Sequence, residues 1–235
     1  ELPEHLFLLY VLPPRINTEE LRSCRHFFYE SLWPRVCGKS LQEAVLEVNR
    51  WCAEQATYRS TDDRTAAPLS VYQCGYGRCG EESAFLTAAL RSVGIAARQV
   101  YAPWWSHCDD NHAWVEAYDG TRWRFLGACE PEPVLDLGWF VHAASRAMTE
   151  QVRAFVPGTK EELAFLFPDS SPEDLLVGEG MVTELVTSRY AVTEQHCVRV
   201  LGEDGKPAAS ARVCFEVLNM AGFHPVAVAE ADAAG

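Results

Sequence analysis

Apolar and polar positions follow two rhythms along this chain of 235 residues, and the change falls near Ile95. Before it the spacing is helical. Leu41, Val45, Val48 and Cys52 recur every three or four residues behind Ser40-Leu-Gln-Glu43, a capping-box pattern, so a helix is predicted to about Thr57. Asn17-Thr-Glu-Glu20 repeats that pattern and predicts another helix, to about Trp33. The stretch 58–72 is polar and loop-like, with Asp62, Asp63 and Pro68. Gly75, Gly77 and Gly80 then crowd one turn around Cys79. Ala84, Phe85, Ala88, Ala89 and Leu90 mark a buried helix from Glu81 to Val93, closed by Gly94.

Beyond Ile95 the pattern turns strand-like. Ala97–Ala102, Ala113–Tyr118 and Thr121–Leu126 read as strands, the last two joined at Asp119-Gly120, a hairpin signal. Helices are predicted over Ser145–Phe155 and Lys160–Phe167, and a break at Gly178 and Gly180. Strands follow at Met181–Val192, Cys197–Leu201, Ala211–Leu218 and Phe223–Ala229, with a turn at Asp204-Gly205. Four strands ending on the turn Asp232–Gly235 make an unfinished sheet. The expected fold class is therefore α+β: residues 1–178 as one domain with N-terminal helices, and 181–235 as an incomplete β-sandwich, weakly stabilised and dispensable for chemistry.

Composition narrows the function. Lys and Arg number 20 against 33 Asp and Glu, a net charge of −13, which argues against a partner that must be neutralised at its phosphates, so no nucleic acid is expected. With 48% hydrophobic and 23% charged residues the chain is globular, and no apolar run reaches membrane-spanning length. Glu1–Pro14 show no basic n-region or cleavage site, so no signal peptide is expected there; the start on Glu1 in place of Met leaves a removed leader open. Nine cysteines, with no C-x-x-C, leave at least one thiol over, and most are expected to be buried structural thiols. His107, Cys108, Asp109 and Asp110 are metal ligands by type, but the run reads as a solvated turn, and neither metal nor cofactor is expected. Arg98 reads as one half of a structural ion pair.

The chemistry centres on Cys79. It stands between a glycine turn and a helix start, where unpaired N–H groups and the helix dipole favour thiolate, with Arg78 adding positive charge. Its own N–H is placed to donate to an oxyanion. His112 opens the strand His112-Ala-Trp-Val-Glu-Ala, 33 residues later, and shares a face with Trp114 and Glu116. A Cys at a helix start and a His at a strand end supply a nucleophile and its base, and a third group should orient the imidazole. Trp104 and Trp105, in Tyr101-Ala-Pro-Trp-Trp-Ser-His107, are candidates for a substrate wall, one of them alternatively for the core.

These motifs resemble a known family. Gly77-Arg-Cys-Gly-Glu-Glu-Ser83, Ala89-Leu-Arg-Ser-Val-Gly-Ile-Ala-Ala-Arg98 and Asn111-His-Ala-Trp-Val-Glu116, in that order, are similar to the transglutaminase-like superfamily of papain-like Cys-His-Asp folds, the first string most to its peptide:N-glycanase branch. The resemblance covers about residues 40 to 135. It implies a Cys-bearing helix packed on an antiparallel sheet that carries the His, with Cys79 as nucleophile and His112 as base. The third member departs from the family. Set on an Asp-x-Cys-Glu pattern, Gly127 takes the Asp position; set on an Asp-Pro pattern, Glu130 takes it, with Glu132 and Asp136 as alternatives. Gln73, six residues before Cys79, has the spacing of the papain-like oxyanion glutamine, and Tyr72 and Tyr76 are aromatic alternatives. The segment Val198–Pro207 with Ala211–Glu216 resembles carboxypeptidase-regulatory-like or transthyretin-like sandwiches, which implies a spacer or binder and an extracytoplasmic location.

Two function classes follow. The first is a thiol acyl-transfer enzyme acting on an amide of a protein, peptide or glycopeptide. The second is an inactive transglutaminase-like module that binds carbohydrate or protein. The paired C-x-x-C motifs of cytosolic peptide:N-glycanases are missing here, which weighs against that particular activity.

Overall fold

A computed structural model of the chain describes residues 2–61, 64–178, 180–194 and 196–235. Asp62 and Asp63 of the polar loop lie outside them. The first part is helical: α1 (Glu4–Tyr10), α2 (Arg25–Val36), α3 (Leu41–Gln55), α4 (Pro68–Cys74) and α5 (Cys79–Ser92), with β1 (Thr57–Tyr58) and β2 (Tyr76–Gly77) forming a short parallel pair. The second part holds β3 (Ala97–Ala102), β4 (His112–Tyr118), β5 (Trp123–Leu126), α6 (Val141–Ala144), β6 (Gln151–Ala154), α7 (Lys160–Leu163), β7 (Leu175–Gly178), β8 (Met181–Leu185), β9 (Arg212–Asn219) and β10 (Gly222–Glu230). Six of these strands form one sheet, in the order β5-β4-β3-β6-β8-β7, with every adjacent pair antiparallel. The α+β class expected from the sequence is the one observed.

The sheet is covered on both faces, and β4 shows why. Its side chains alternate, as a pleated strand requires. Val115 and Ala117 join Phe28, Val45, Val48, Trp51, Phe85 and Leu86 of the helical layer, in which α5 lies against β3 and β4. Trp114 joins Tyr10, Trp105, Phe140, Val152 and Val182 on the opposite face. The capping box predicted at Ser40 is present, with Ser40 N donating to Glu43 Oε2 at 3.0 Å. The one predicted at Asn17 is not. Glu19 turns back to accept from Ile16 N at 2.8 Å and Asn17 N at 2.7 Å, which closes a loop, and the helix begins only at Arg25.

Two further expectations give way to pairing. Within Ser145–Phe155 only the predicted span's second half is regular, and it is strand: Val152 and Ala154 are buried while Gln151 and Arg153 are half-exposed, a period of two that seats β6 between β3 and β8. The boundary expected near Gly180 falls inside the β7–β8 hairpin. Met181–Leu185 belongs to the main sheet, and Val182 and Val186 belong to its core. Beyond it, β9 and β10 form a two-stranded hairpin, while Cys197–Leu201 contributes one isolated bridge, Leu201 to Pro207. The sequence after Gly180 is thus not one separate sandwich, because β8 belongs to the main sheet and only β9 and β10 pair apart from it. The cysteines differ as well: Cys52 is buried, whereas Cys37, Cys74, Cys108, Cys197 and Cys214 are exposed, and all nine are free thiols. None of the described helices is long and apolar enough to cross a membrane.

One charged cluster ties three strands together. Arg98 of β3, 2% exposed, donates from Nε to Glu116 Oε2 of β4 at 2.7 Å and from Nη1 to Glu184 Oε2 of β8 at 2.8 Å. Arg189 reaches Glu184 at 3.2 Å, and the Tyr190 hydroxyl donates to Glu116 at 2.7 Å. Burial alone would drive Arg98 toward its neutral form, but the two carboxylates outweigh it and hold the guanidinium charged. The structural ion pair expected of Arg98 is therefore present.

Glu150, just before β6, is the opposite case. It is fully buried and neither carboxylate oxygen has a partner among the described residues, so burial, with Glu116 nearby, pushes it up to about 8. A carboxyl whose folded value is raised contributes full stability below its unfolded value of about 4.5 and loses it as pH climbs through 8. Glu150→Gln should therefore match wild type in thermal midpoint near pH 5 and exceed it increasingly toward pH 8. Midpoints measured from pH 5 to 9 check this, and an offset that does not change with pH would contradict it.

Candidate active site

The turn before α5 is shaped by Glu81. Its Oε2 accepts from Arg78 N at 3.0 Å and Thr61 Oγ1 at 2.7 Å, and its Oε1 accepts from Ala66 N at 2.9 Å. A Cβ at Gly77 would stand 2.9 Å from Glu81 Cβ, which is why the turn needs glycine there. The buried amide of Gln99 on β3 donates to Gly80 O at 2.9 Å and Ser83 Oγ at 2.7 Å, fixing the start of α5 on the sheet. Cys79 is the first residue of that helix, so its N–H has no intrahelical acceptor.

Cys79 sulfur meets the first turn of β4. The backbone of Ala113, and that of Gly80, stabilise its thiolate, and Arg78 adds to this. Burial is the larger effect and pushes the thiol up, so the low thiolate value expected from the helix start is not what the structure gives. His112 precedes Ala113. Its ring is 7% exposed and enclosed by aromatic rings: Trp139 at 4.7 Å, Phe140 at 5.2 Å, Trp114 at 6.0 Å and Trp105 at 6.4 Å. Burial pushes it down to about 4, only partly opposed by Asp110. Around neutral pH the thiol and the imidazole are both uncharged.

The third position is filled in an unexpected way. A side chain at Gly127 would collide with Glu130, whose Oε2 occupies the space that a Cβ there would take. Glu130 accepts from Trp139 Nε1 with both carboxylate oxygens at 3.0 Å, and Asn49 Nδ2 ties Gly127 O at 2.9 Å and Glu130 O at 3.3 Å. Glu130 therefore reaches His112 through the Trp139 indole, and His112 Nε2 is buried with no partner among the described residues. Asp136 is committed elsewhere, to Arg124, Arg122 and Phe125 N. Glu132 is half-buried and acts on Glu130 through its charge. Glu82, one helical turn after Cys79, is buried beside Glu130 and is pushed up to about 8, which keeps it a neutral acid at pH 7.

The remaining candidates separate. Gln73 is exposed in the last turn of α4. Tyr72 is stacked on Trp51 at 5.8 Å in the core, and Tyr76 lies 4.6 Å under Arg59. Trp105 is 3% exposed and belongs to the core, while Trp104 is stacked at 3.9 Å on His224 of β10, so neither presents an open wall. Trp139 does, at 64% exposed. The sequence reading missed it, although Gly138-Trp-Phe140 is an apolar cluster in a polar loop, and Gly138 is required because a Cβ there would sit 2.6 Å from Phe140. Among the described residues no group of three or more His, Cys, Asp or Glu is placed to hold a metal. Two cavities, of about 640 and 920 Å³, are lined by Tyr10, Arg98 and Trp123 and by Arg59, Tyr76 and Glu81 respectively, and neither includes Cys79 or His112.

The junction thus sets a Cys at a helix start beside the first residues of a His-bearing strand. Residues 35–128 match the model of the transglutaminase-like superfamily. The peptide-N(4)-(N-acetyl-beta-glucosaminyl)asparagine amidase of Eremothecium gossypii is 30% identical over 111 residues, 40% of this chain and 30% of that protein's length. Among solved structures, a cysteine-protease candidate from Cytophaga hutchinsonii is 17% identical, with 68% of this chain and 58% of that one aligned at a TM-score of 0.37. A TGase is 18% identical, with 44% and 30% aligned at 0.34.

If Glu130 acts by holding Trp139 against His112, the two residues should be coupled. Glu130→Ala and Trp139→Phe should each slow alkylation of Cys79 by roughly threefold to tenfold, and the double variant no more than either single one. Glu130→Gln keeps an acceptor for the indole N–H and should stay near wild type. A collapse in Glu130→Gln would instead mean that its charge acts on the imidazole.

Proposed function

We propose that this chain is a thiol-dependent acyl-transfer enzyme that cleaves an amide in a protein, peptide or glycopeptide. The observation that carries it is the junction at which the sulfur of Cys79, at the start of α5, meets the backbone of Ala113, next to His112. Similarity to an asparagine amidase supports an amide carbonyl as the target.

Both partners are neutral at rest, so His112 acts as a general base and not as half of a preformed ion pair. The imidazole takes the thiol proton as sulfur bonds to the carbonyl carbon. The Cys79 N–H is in place to donate to the resulting oxyanion. Collapse breaks the C–N bond, and the imidazolium gives its proton to the leaving amine or ammonia. Water, deprotonated by His112, then cleaves the thioester to the acid and regenerates the thiol. Similarity to an asparagine amidase favours hydrolysis over transfer.

The rival reading is a binding module. It is favoured by Glu130 being held by Trp139 and not bonded to His112. The two differ in what Cys79 does. With glutaminyl or glycosylasparagine peptides as probes, hydroxylamine should trap an acyl group from wild type and none from Cys79→Ser, whose thermal midpoint should stay within a few degrees. Turnover should lose its acid limb near pH 4, where His112 protonates, not near 6.5. Turnover surviving in Cys79→Ser refutes the nucleophile assignment.

A further inference from the structure

The tip of the β9–β10 hairpin, from Asn219, lies more than 100 residues beyond His112 in sequence, yet it is docked on the loop that leads into His112. Asn219, the last residue of β9, is fully buried. Its Nδ2 donates to Trp105 O at 2.9 Å, Cys108 O at 2.8 Å and Asp110 O at 3.2 Å. Next to it, Met220 N donates to Asp109 Oδ1 at 2.8 Å. His224 of β10 stacks on Trp104 at 3.9 Å, and its Nε2 lies 3.0 Å from Asn219 O. Residues 104–110 are therefore gripped from end to end by one hairpin.

The arrangement is specific to an amide donor. The side chains of residues 106–110 are all exposed, and apart from the hairpin the loop is anchored by Trp105 in the core and by Ser106 Oγ, which donates to Arg146 O at 2.9 Å. It closes on itself through Trp105 N to Asp110 O at 3.0 Å and Asp110 N to Cys108 O at 2.9 Å, and three of its carbonyls point inward. Asn219 fills the space between them with donors. Its Oδ1 has no partner among the described residues, so only the N–H side of the amide is used. The hairpin bends at Met220 and Ala221, two non-glycine residues at φ 47 and 58. That left-handed turn is costly without glycine or asparagine and persists where the surroundings hold it. Two residues beyond Asp110 the chain enters β4 at His112, and Asp110 acts electrostatically on both His112 and Cys79.

We propose that the β9–β10 hairpin is part of the active site, with Asn219 as a positioning residue that fixes the 104–110 loop and, through it, the placement of His112 against Cys79. This rests on the Cys79–His112 reading above. A hairpin that only added stability would change how much protein is folded. A hairpin that positions the site changes how fast Cys79 reacts in the molecules that are folded. Misplacing a base by about 1 Å costs on the order of 10²-fold, and a loosened loop costs part of that.

The test is the rate of Cys79 alkylation by iodoacetamide at pH 7, read by mass spectrometry on folded full-length protein, with His112→Ala marking the rate without a base. Asn219→Ser keeps one donor, Asn219→Ala keeps none, and Asn219→Asp sets a carboxylate against three carbonyls. The expected order is wild type, then Ser, then Ala, then Asp, spanning roughly tenfold and approaching His112→Ala. Because a buried substitution at Asn219 can abolish folding, Asp109→Ala serves as the second arm. It sits in the exposed loop, removes only the Met220 contact, and should slow Cys79 by a few-fold with an unchanged thermal midpoint. Variants that fold and alkylate Cys79 at the wild-type rate, Asp109→Ala among them, overturn the proposal. Equal rates in wild type and His112→Ala would instead refute the Cys79–His112 pair itself.

Discussion

The buried guanidinium of Arg98 sets the terms for the rest of the molecule. A charge this deep is tolerable only if counter-charges and hydrogen bonds meet it, and leaving one member of such a cluster unpaired costs about 3–5 kcal/mol. The carboxylates come from Glu116 and Glu184, on two strands other than its own. This fixes the register of β3 against β4, because Arg98 must face Glu116, and the same register places Ala102 opposite His112 at the end of the sheet. It also draws β8 into the sheet, since Glu184 comes from there.

From that register the junction of Cys79 with the start of β4 follows geometrically. The helix that carries Cys79 lies on one face of β4, against Val115 and Ala117, whereas His112 shares the other face with Trp114 and Glu116. Along most of the strand the sheet stands between them. Only at its first residues, where Ala113 backbone reaches the Cys79 sulfur, does that separation end. The price of this meeting point is dryness. Aromatic rings around His112 strip it of solvent, and burial raises the thiol, so both groups rest uncharged. A neutral pair costs the fold less than a buried thiolate and imidazolium would.

What could be read from the sequence was local. The start of α5 was legible to within two residues because a glycine turn precedes the apolar run, and Gly77 and Glu81 turn out to explain one another. The strand with His112 was legible from its alternation. Arg98 was legible only as half of a pair, because its partners lie 18 and 86 residues away. The helix predicted at Asn17 failed where Glu19 found a tertiary use for the same capping chemistry, and the predicted helix at Ser145–Phe155 failed where a neighbouring strand was free to pair. Trp139 and Asn219 were not legible at all. The apolar cluster around Trp139 reads as core as readily as surface, an Asn at a strand end carries no pattern, and each gains its meaning from a contact made across the fold.

At Gly127 and Glu130 two positions share one volume. A side chain at position 127 and the present Glu130 carboxylate would compete for one volume, so the glycine and the glutamate are parts of a single arrangement. The backbone around them is held by Asn49, which donates to Gly127 O and Glu130 O and accepts from Cys129 N at 2.9 Å, a residue at positive φ. Glu130, however, is directed outward to the Trp139 indole, and what touches His112 is a ring. An indole face can fix the orientation of an imidazole, but it cannot take charge from it as a carboxylate would. The arrangement therefore gives up stabilisation of the imidazolium for an exposed aromatic surface beside the base, set where a substrate approaching Cys79 would meet it.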